Sequence, residues 1–452
     1  MVDPAKLASS RRGYVIAAAG CGKTELIANA VAGQAEGRAL VLTHTHAGVG
    51  ALRSRLRSKG VAARRVSVET LTGFALRFAS AYPRTSGWEG TAPTGAQWSE
   101  VQDGARRVFD TNAGKSVLKA SFSGIYVDEY QDCTEDQHSL VNSLAEVLPT
   151  RLLGDPLQGT FGFAGKLVDW DLVQSTYDDL GELTTPHRWQ PTNPALGDWL
   201  IDARARLLAG EQPDWSNPAI TVGTCRDADQ ILACGRFRTV PSVVAIRKWA
   251  RDEQAVASRL GGAFTSMETI DSKDLFATAR RFDAATGTSL AIATIDLAEL
   301  CMTNTGGHLK AARRSLTSDR VPTPRQGAAN AVAVEALGAV AANGHSAVPN
   351  ALDAIMSLPN VRVYRHELLD ESLRALRSRR DGSERTLEQI AWNLRDDARR
   401  RGRAVPTRVV SRTLLVKGLE FDHALVLNAN ELSAEELYVA ITRPRVSLTV
   451  LR

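Results

Sequence analysis

Ala17-Ala18-Ala19-Gly20-Cys21-Gly22-Lys23-Thr24 follows the apolar run Tyr14-Val15-Ile16 and precedes a helical pattern over residues 25–32. A strand, a glycine turn closing on Gly-Lys-Thr and a helix, in that order, read as a phosphate-binding loop. Gly20 and Gly22 let the backbone fold back so that its N–H groups point inward, and Lys23 adds a cation beside the outer phosphates. Thr24 is placed to hold a magnesium ion. Ala17 stands where the usual pattern has its first glycine, so the reading rests on Gly20 to Thr24.

The chain has 452 residues, too many for one compact core, which predicts two or more domains. A hydrophobic share of 44% with 23% charged residues is that of a soluble globular protein. The formal charge of +5 and pI near 9.0 permit a polyanion partner without requiring one. Five cysteines lack Cys-x-x-Cys spacing and neighbouring histidines, which argues against a disulfide framework or a zinc site and suits a reducing, cytoplasmic setting. Arg11-Arg12 before the apolar run imitates a twin-arginine signal, but the run is too short for export, and no stretch is long enough to span a bilayer.

Apolar runs at residues 39–43, 66–68, 124–127 and 151–153 alternate with helical patterns, the signature of a parallel sheet covered on both faces. Further strand signals lie at residues 220–222, 243–246, 407–410 and 424–427, and a helix-strand pair closes the chain at residues 434–441 and 447–451. The fold class expected is α/β, with two parallel-sheet cores each carrying an insertion. Domain one takes residues 1–80 and 120–188, with a small insertion at 81–119. Domain two takes residues 189–271 and 386–452, with an alanine-rich helical insertion at 272–385.

Phosphoryl transfer needs a phosphate cradle, a held metal, a group that positions water and cations that meet developing charge. Asp128 follows an apolar strand, where its carboxylate can join Thr24 on magnesium, and Glu129 beside it is placed to orient or deprotonate water. Taken alone, the pair reads equally well as two surface acids at a strand end; the upstream loop tips the balance. Arg188 and Arg443 are candidate cations, although composition does not separate either from a solvated surface arginine.

From the first strand to the last helix the chain resembles superfamily 1 helicases of the UvrD/Rep kind. Ala17 to Thr24 resembles that family's first motif, and Thr43-His44-Thr45-His46-Ala47 its strand-contacting motif. Thr70-Leu71-Thr72-Gly73-Phe74 resembles the next, and Val127-Asp128-Glu129-Tyr130-Gln131-Asp132 the acidic motif. The third motif is matched from Gly154 to Gly165, including Gln158 and Phe163, and the fourth by Pro186-His187-Arg188-Trp189. Lys417-Gly418-Leu419-Glu420-Phe421 resembles the fifth and Leu437-Tyr438-Val439-Ala440-Ile441-Thr442-Arg443 the sixth. The chain departs from the family pattern in lacking a Leu-Asn-x-x-Gln adenine reader and in carrying His46, Thr72 and Ala164 at motif positions.

The resemblance implies two RecA-like P-loop NTPase domains with a 1B-like and a helical 2B-like insertion. It implies ATP and Mg2+ as cofactors, with the catalytic roles on Lys23, Glu129, Gln158, Arg188 and Arg443. Nucleotide contacts would come from Ala19, Gly20, Cys21, Gly22, Lys23, Thr24, Glu25, Arg188, Glu420 and Arg443, and the metal from Thr24 and Asp128. Single-stranded or tailed duplex DNA would touch Thr45, His46, Thr70, Phe74 and Phe163, the aromatics by stacking. The function implied is an ATP-dependent DNA helicase or translocase, moving 3′-to-5′ as its two RecA-like domains close and open. One alternative is the helicase subunit of a Gabija-type phage-defence pair acting with a nuclease partner. Another is an ATP-gated DNA-binding scaffold, against which Glu129, Gln158 and Arg443 all speak.

Overall fold

The computed structural model describes the chain apart from residues 1, 35, 91–92, 94, 161–164, 270–272, 380–384 and 402–405, and apart from the side chains of 396–401. Its first sheet has strands β1 (Arg12–Ala17), β2 (Ala39–Thr43), β3 (Val66–Thr70), β4 (Gly124–Val127), β5 (Thr150–Gly154) and β6 (Asp178–Leu183), in the order β3-β2-β4-β5-β1-β6. Every pairing in it is parallel. Because β4, β5 and β1 are neighbours, the segments leaving their carboxyl ends converge: the phosphate loop, Asp128-Glu129 and Asp155.

Strict alternation decides which side of this sheet each residue serves. Tyr14, Leu40, Leu42, Ile125, Val127 and Leu152 join one core; Val15, Ala39, Val41, Tyr126 and Leu153 join the other. Helices Lys23–Gly33 and His46–Ser58 cover the second face, and Leu71–Ala81, Gln97–Asp110 and Glu135–Ala145 the first. Within the stretch expected as a small insertion, Trp88, Val101, Ala105, Phe109 and Leu118 are buried in that first core together with Phe74 and Leu140.

The second sheet contains β7 (Thr221–Gly223), β8 (Val243–Arg247), β9 (Thr265–Ser266), β12 (Arg408–Arg412), β13 (Phe421–Val426) and β14 (Pro444–Leu451), ordered β7-β14-β13-β8-β12-β9. The pairs β13–β8, β8–β12 and β12–β9 are parallel. A two-stranded antiparallel ribbon, β10 (Met302–Thr303) with β11 (Arg362–Val363), lies among the alanine-rich helices. The expected α/β class with two parallel-sheet cores is therefore present. The helices between Lys273 and Arg401 bury a core of their own, in which Ala291, Ala298, Ala333, Ala351 and Ala391 let helix backbones approach closely.

Two compact units result, Met1–Thr221 with Lys417–Glu420 and Leu432–Leu448, and Val222–Val416 with Phe421–Glu431 and Thr449–Arg452. The candidate site described next lies wholly in the first. Among the described residues, no helix is long and apolar enough to cross a membrane.

Candidate active site

Gly20 and Gly22 adopt φ of 69° and 90°, left-handed backbone that favours glycine. A Cβ on Gly20 would stand 2.5 Å from the Trp189 ring, so space as well as conformation demands glycine there. Gly22 is the N-cap of helix Lys23–Gly33, whose first-turn N–H groups and dipole favour an anion at this end. The loop is held from outside: Ala19 N–H donates to the Tyr438 hydroxyl at 3.1 Å, and Arg188 N–H to Gly20 O at 3.1 Å. Burial pushes the Cys21 thiol up to about 12, which makes it a packing residue and not a nucleophile.

Lys23 Nζ lies 2.7 Å from Glu129 Oε2 and 3.8 Å from Asp128 Oδ1. Burial pushes Asp128 up to about 7, only partly countered by Lys23 and reinforced by Glu129. Burial also opposes ionisation of Glu129, yet Lys23 and Lys417 prevail and hold it at about 2. Glu129 sits at φ 58°, a left-handed position that turns the chain sharply after β4. Thr24 is half-buried, one residue beyond Lys23 in the first turn of the helix. Glu25, in the same first turn, is engaged in ion pairs with Lys59 and Arg55.

Behind the acids runs a chain of polar contacts. Gln131 donates from Nε2 to Glu129 Oε2 at 2.6 Å and accepts at Oε1 from Asp155 N–H at 3.0 Å. Asp155, fully buried, accepts from Gln158 Nε2 at 2.9 Å and from the Arg204 guanidinium at 3.1 and 3.2 Å. Lys417 Nζ reaches Asp132 Oδ1 at 2.5 Å and also donates to the carbonyl of Gln158. The glutamine expected to sense the outer phosphate is thus held from both ends.

The expected cations lie in the same unit. Arg188 bonds Glu420 Oε1 at 2.8 Å and donates to Thr442 O at 2.9 Å. Arg443, 2% exposed, donates to Val439 O at 2.7 Å, Leu419 O at 3.2 Å and the Thr442 hydroxyl at 2.9 Å. Burial weakens its hold on the proton, Arg188 adds to that, and Glu129 and Glu420 oppose it. A cradle, two acids of opposed ionisation and a ring of cations can together bind a triphosphate and orient water toward it.

The expected strand contacts fare unevenly. Thr45 and Thr70 are N-caps, accepting from Gly48 N–H at 3.0 Å and Gly73 N–H at 3.1 Å, while His46 is exposed. Phe74 requires a correction: it is fully buried, with its ring 4.9 Å from Phe78 and 5.7 Å from Phe109, so it has no face to offer a base. Apolar spacing on helix Leu71–Ala81 turns it into the core. Phe163 lies outside the described residues.

Sequence reasoning assigned no role to Gln131, Lys417 or Tyr438, although each falls inside a quoted motif. It passed over Arg204, whose partners are distant in the chain, and Trp249, which is 58% exposed two residues after β8 with Lys248 over its ring at 5.3 Å. An aromatic next to a lysine at the carboxyl end of a parallel strand was the available signal.

No protein-family model and no curated protein matches this chain. Solved structures similar to it include a complex of arterivirus nonstructural protein 10, a helicase, with DNA; the identity is 11%, the TM-score 0.37, and 99% of this chain and 62% of that chain are covered. A crystal structure of arterivirus nonstructural protein 10 has 11% identity and a TM-score of 0.34, covering 99% and 60%. The PRRSV helicase has 12% identity and a TM-score of 0.36, covering 99% and 54%. This chain therefore spans less than two thirds of the length of those proteins.

Proposed function

We propose that this protein is an ATP-driven motor of the superfamily 1 helicase type that moves along single-stranded nucleic acid, with DNA as the track. What carries the reading is the position of Lys23, within 4.0 Å of both Asp128 and Glu129 and one residue past the glycine cradle. The two left-handed glycines and the helix N-terminus fit a triphosphate, and in this reading the Thr24 hydroxyl and the Asp128 carboxylate, oxygen donors of the kind magnesium takes, would hold the metal. Magnesium held there would neutralise phosphate charge.

Binding of the outer phosphates would draw Lys23 off Glu129 and leave Glu129 Oε2, still held by Gln131, to orient water. Arg188 and Arg443 would meet charge on the outer phosphate, Arg188 by leaving Glu420. Gln158 would exchange its bond to Asp155 for one to that phosphate and so report its presence. The coupling we infer is closure and opening of two RecA-like domains, with 3′-to-5′ travel. For the base contact, Trp249 takes the place of Phe74.

The test is phosphate release with and without single-stranded DNA, run beside strand displacement on duplexes with a 3′ or a 5′ tail. DNA-stimulated release abolished by Lys23→Ala, and displacement from the 3′ tail, are expected. Hydrolysis undiminished in Lys23→Ala would end the assignment of the loop. Stimulated release without displacement would leave a translocase, and nucleotide binding without release a scaffold.

A further inference from the structure

Helix Leu387–Arg401 buries Leu387, Ile390 and Ala391 in the core of the helical region. Its opposite face carries Trp392, 46% exposed, a costly residue to leave in water. One face of the indole stacks on Phe276, ring centres 5.0 Å apart and 27° between planes. Trp392 also lines a shallow cavity of about 340 Å³ with Arg385, Gln389 and Asn393. Gln389, Trp392 and Asn393 recur at i, i+3 and i+4 on the helix, and Arg385 stands two residues ahead of its first turn, so the helix and the segment entering it line the cavity together.

We propose that Trp392 is a stacking platform for an unpaired base of single-stranded nucleic acid, a site separate from the one where the triphosphate is cleaved. A base adds a third ring to the Phe276–Trp392 stack, and every base has a π-face, so the site is tolerant of sequence. The Asn393 amide offers a donor and an acceptor to a base edge, and Gln389, whose Oε1 accepts from Thr386 N–H at 3.2 Å, offers the donors of its NH2 group. Arg385, and Lys273 one turn from Phe276 on helix Lys273–Ala284, supply positive charge for the backbone phosphates. Glu388 on the same helix is neutralised by Arg280 at 2.8 Å. A protein partner would need a wider apolar patch, whereas this indole is flanked by a guanidinium and two amides.

The inference rests on a nucleic-acid track, and the experiment separates the two. Binding of labelled oligothymidylate and oligouridylate of about 20 nucleotides is measured by fluorescence anisotropy, beside an abasic strand of equal length. Trp392→Ala is expected to weaken binding of the base-bearing strands roughly ten-fold, Trp392→Phe to restore most of it, and hydrolysis without nucleic acid to stay unchanged. The abasic strand is expected to bind wild type and Trp392→Ala alike. Indole emission of the wild type should fall on titration with oligothymidylate, and that quench should shrink in Trp392→Phe, a readout that survives if Trp392→Ala folds poorly. Equal affinity of wild type and Trp392→Ala for base-bearing strands, with an unaltered quench in Trp392→Phe, would overturn this site and leave the motor intact. Failure of the wild type to bind any strand would overturn both.

Discussion

The Tyr438 hydroxyl accepts a hydrogen bond at 3.1 Å from the backbone N–H of Ala19, a residue 419 positions earlier in the chain. Tyr438 is 1% exposed and Ala19 is buried, so removing the hydroxyl strands an N–H away from water. Such an orphan costs about 1–3 kcal/mol. Tyr438→Phe should lower the melting temperature and raise the KM for ATP several-fold while kcat changes little, because the loop loses its support and not its reacting groups. Steady-state kinetics beside thermal melting checks this; a KM at the wild-type value would show that the loop keeps its shape unaided.

Gln131 ties Glu129 to Asp155 and, through it, to Gln158 and Arg204. Gln131→Ala removes the hydrogen bond that orients the Glu129 carboxylate, leaving it to the charges of Lys23 and Lys417, and frees the backbone N–H of Asp155. We expect kcat to fall by about 10- to 100-fold with KM for ATP nearly unchanged, the pattern of lost positioning in the transition state. A fall in affinity equal to the fall in rate would instead mark a role in ground-state binding.

How far the chain could be read residue by residue depends on the sequence distance over which a signal acts. The phosphate loop and the Asp128-Glu129 pair are local patterns, each a strand followed by a few polar residues, and they lie where the strand order β4-β5-β1 brings them together. β6 was invisible because Asp178, Asp179 and Glu182 make it acidic; it is an edge strand paired with β1, so its outer side need not be apolar. Arg204 could not be found either, because the feature that defines it is a carboxylate 49 residues away. Phe74 is the opposite case: an aromatic on an amphipathic helix carries the same local pattern whether it faces a core or a ligand.

Phe74 separates those two fates by measurement. Its ring is buried against Phe78 and Phe109, and Phe74→Ala should cost about 3–5 kcal/mol of stability. Phe74→Leu keeps the site filled with less loss, and its affinity for an oligonucleotide should equal that of the wild type. Weakened binding in a well-folded Phe74→Leu would restore the ring as a contact.

Arg443 donates all its described hydrogen bonds to groups of its own unit, two carbonyls and one hydroxyl, and none to a carboxylate. A guanidinium so held retains charge for an incoming phosphate. Arg443→Ala should reduce ATP hydrolysis about a thousand-fold, and Arg443→Lys should recover only a small part, since an ammonium cannot span the same acceptors. Nucleotide binding followed by a fluorescent ATP analogue should change much less than the rate. Equal losses in binding and rate would reduce Arg443 to a ground-state contact.

Glu253, 1% exposed in helix Ala250–Arg259, accepts from the Ser266 hydroxyl at 2.7 Å and faces Arg412 Nε at 3.2 Å, with the Glu268 carboxylate nearby. Burial pushes its carboxyl up to about 7; Ser266 and Arg412 oppose the rise and Glu268 adds to it. The folded protein therefore takes up this proton more readily than the unfolded chain does. The stability so gained is fully present below the unfolded value near 4.5 and is lost as pH rises through about 7. Its full extent is on the order of 3 kcal/mol. Glu253→Gln has no proton to exchange, so the melting temperature of wild type minus that of Glu253→Gln should decline steadily between about pH 5 and pH 8. A difference constant across that range would mean that Arg412 keeps the carboxylate ionised throughout and that burial has been outweighed.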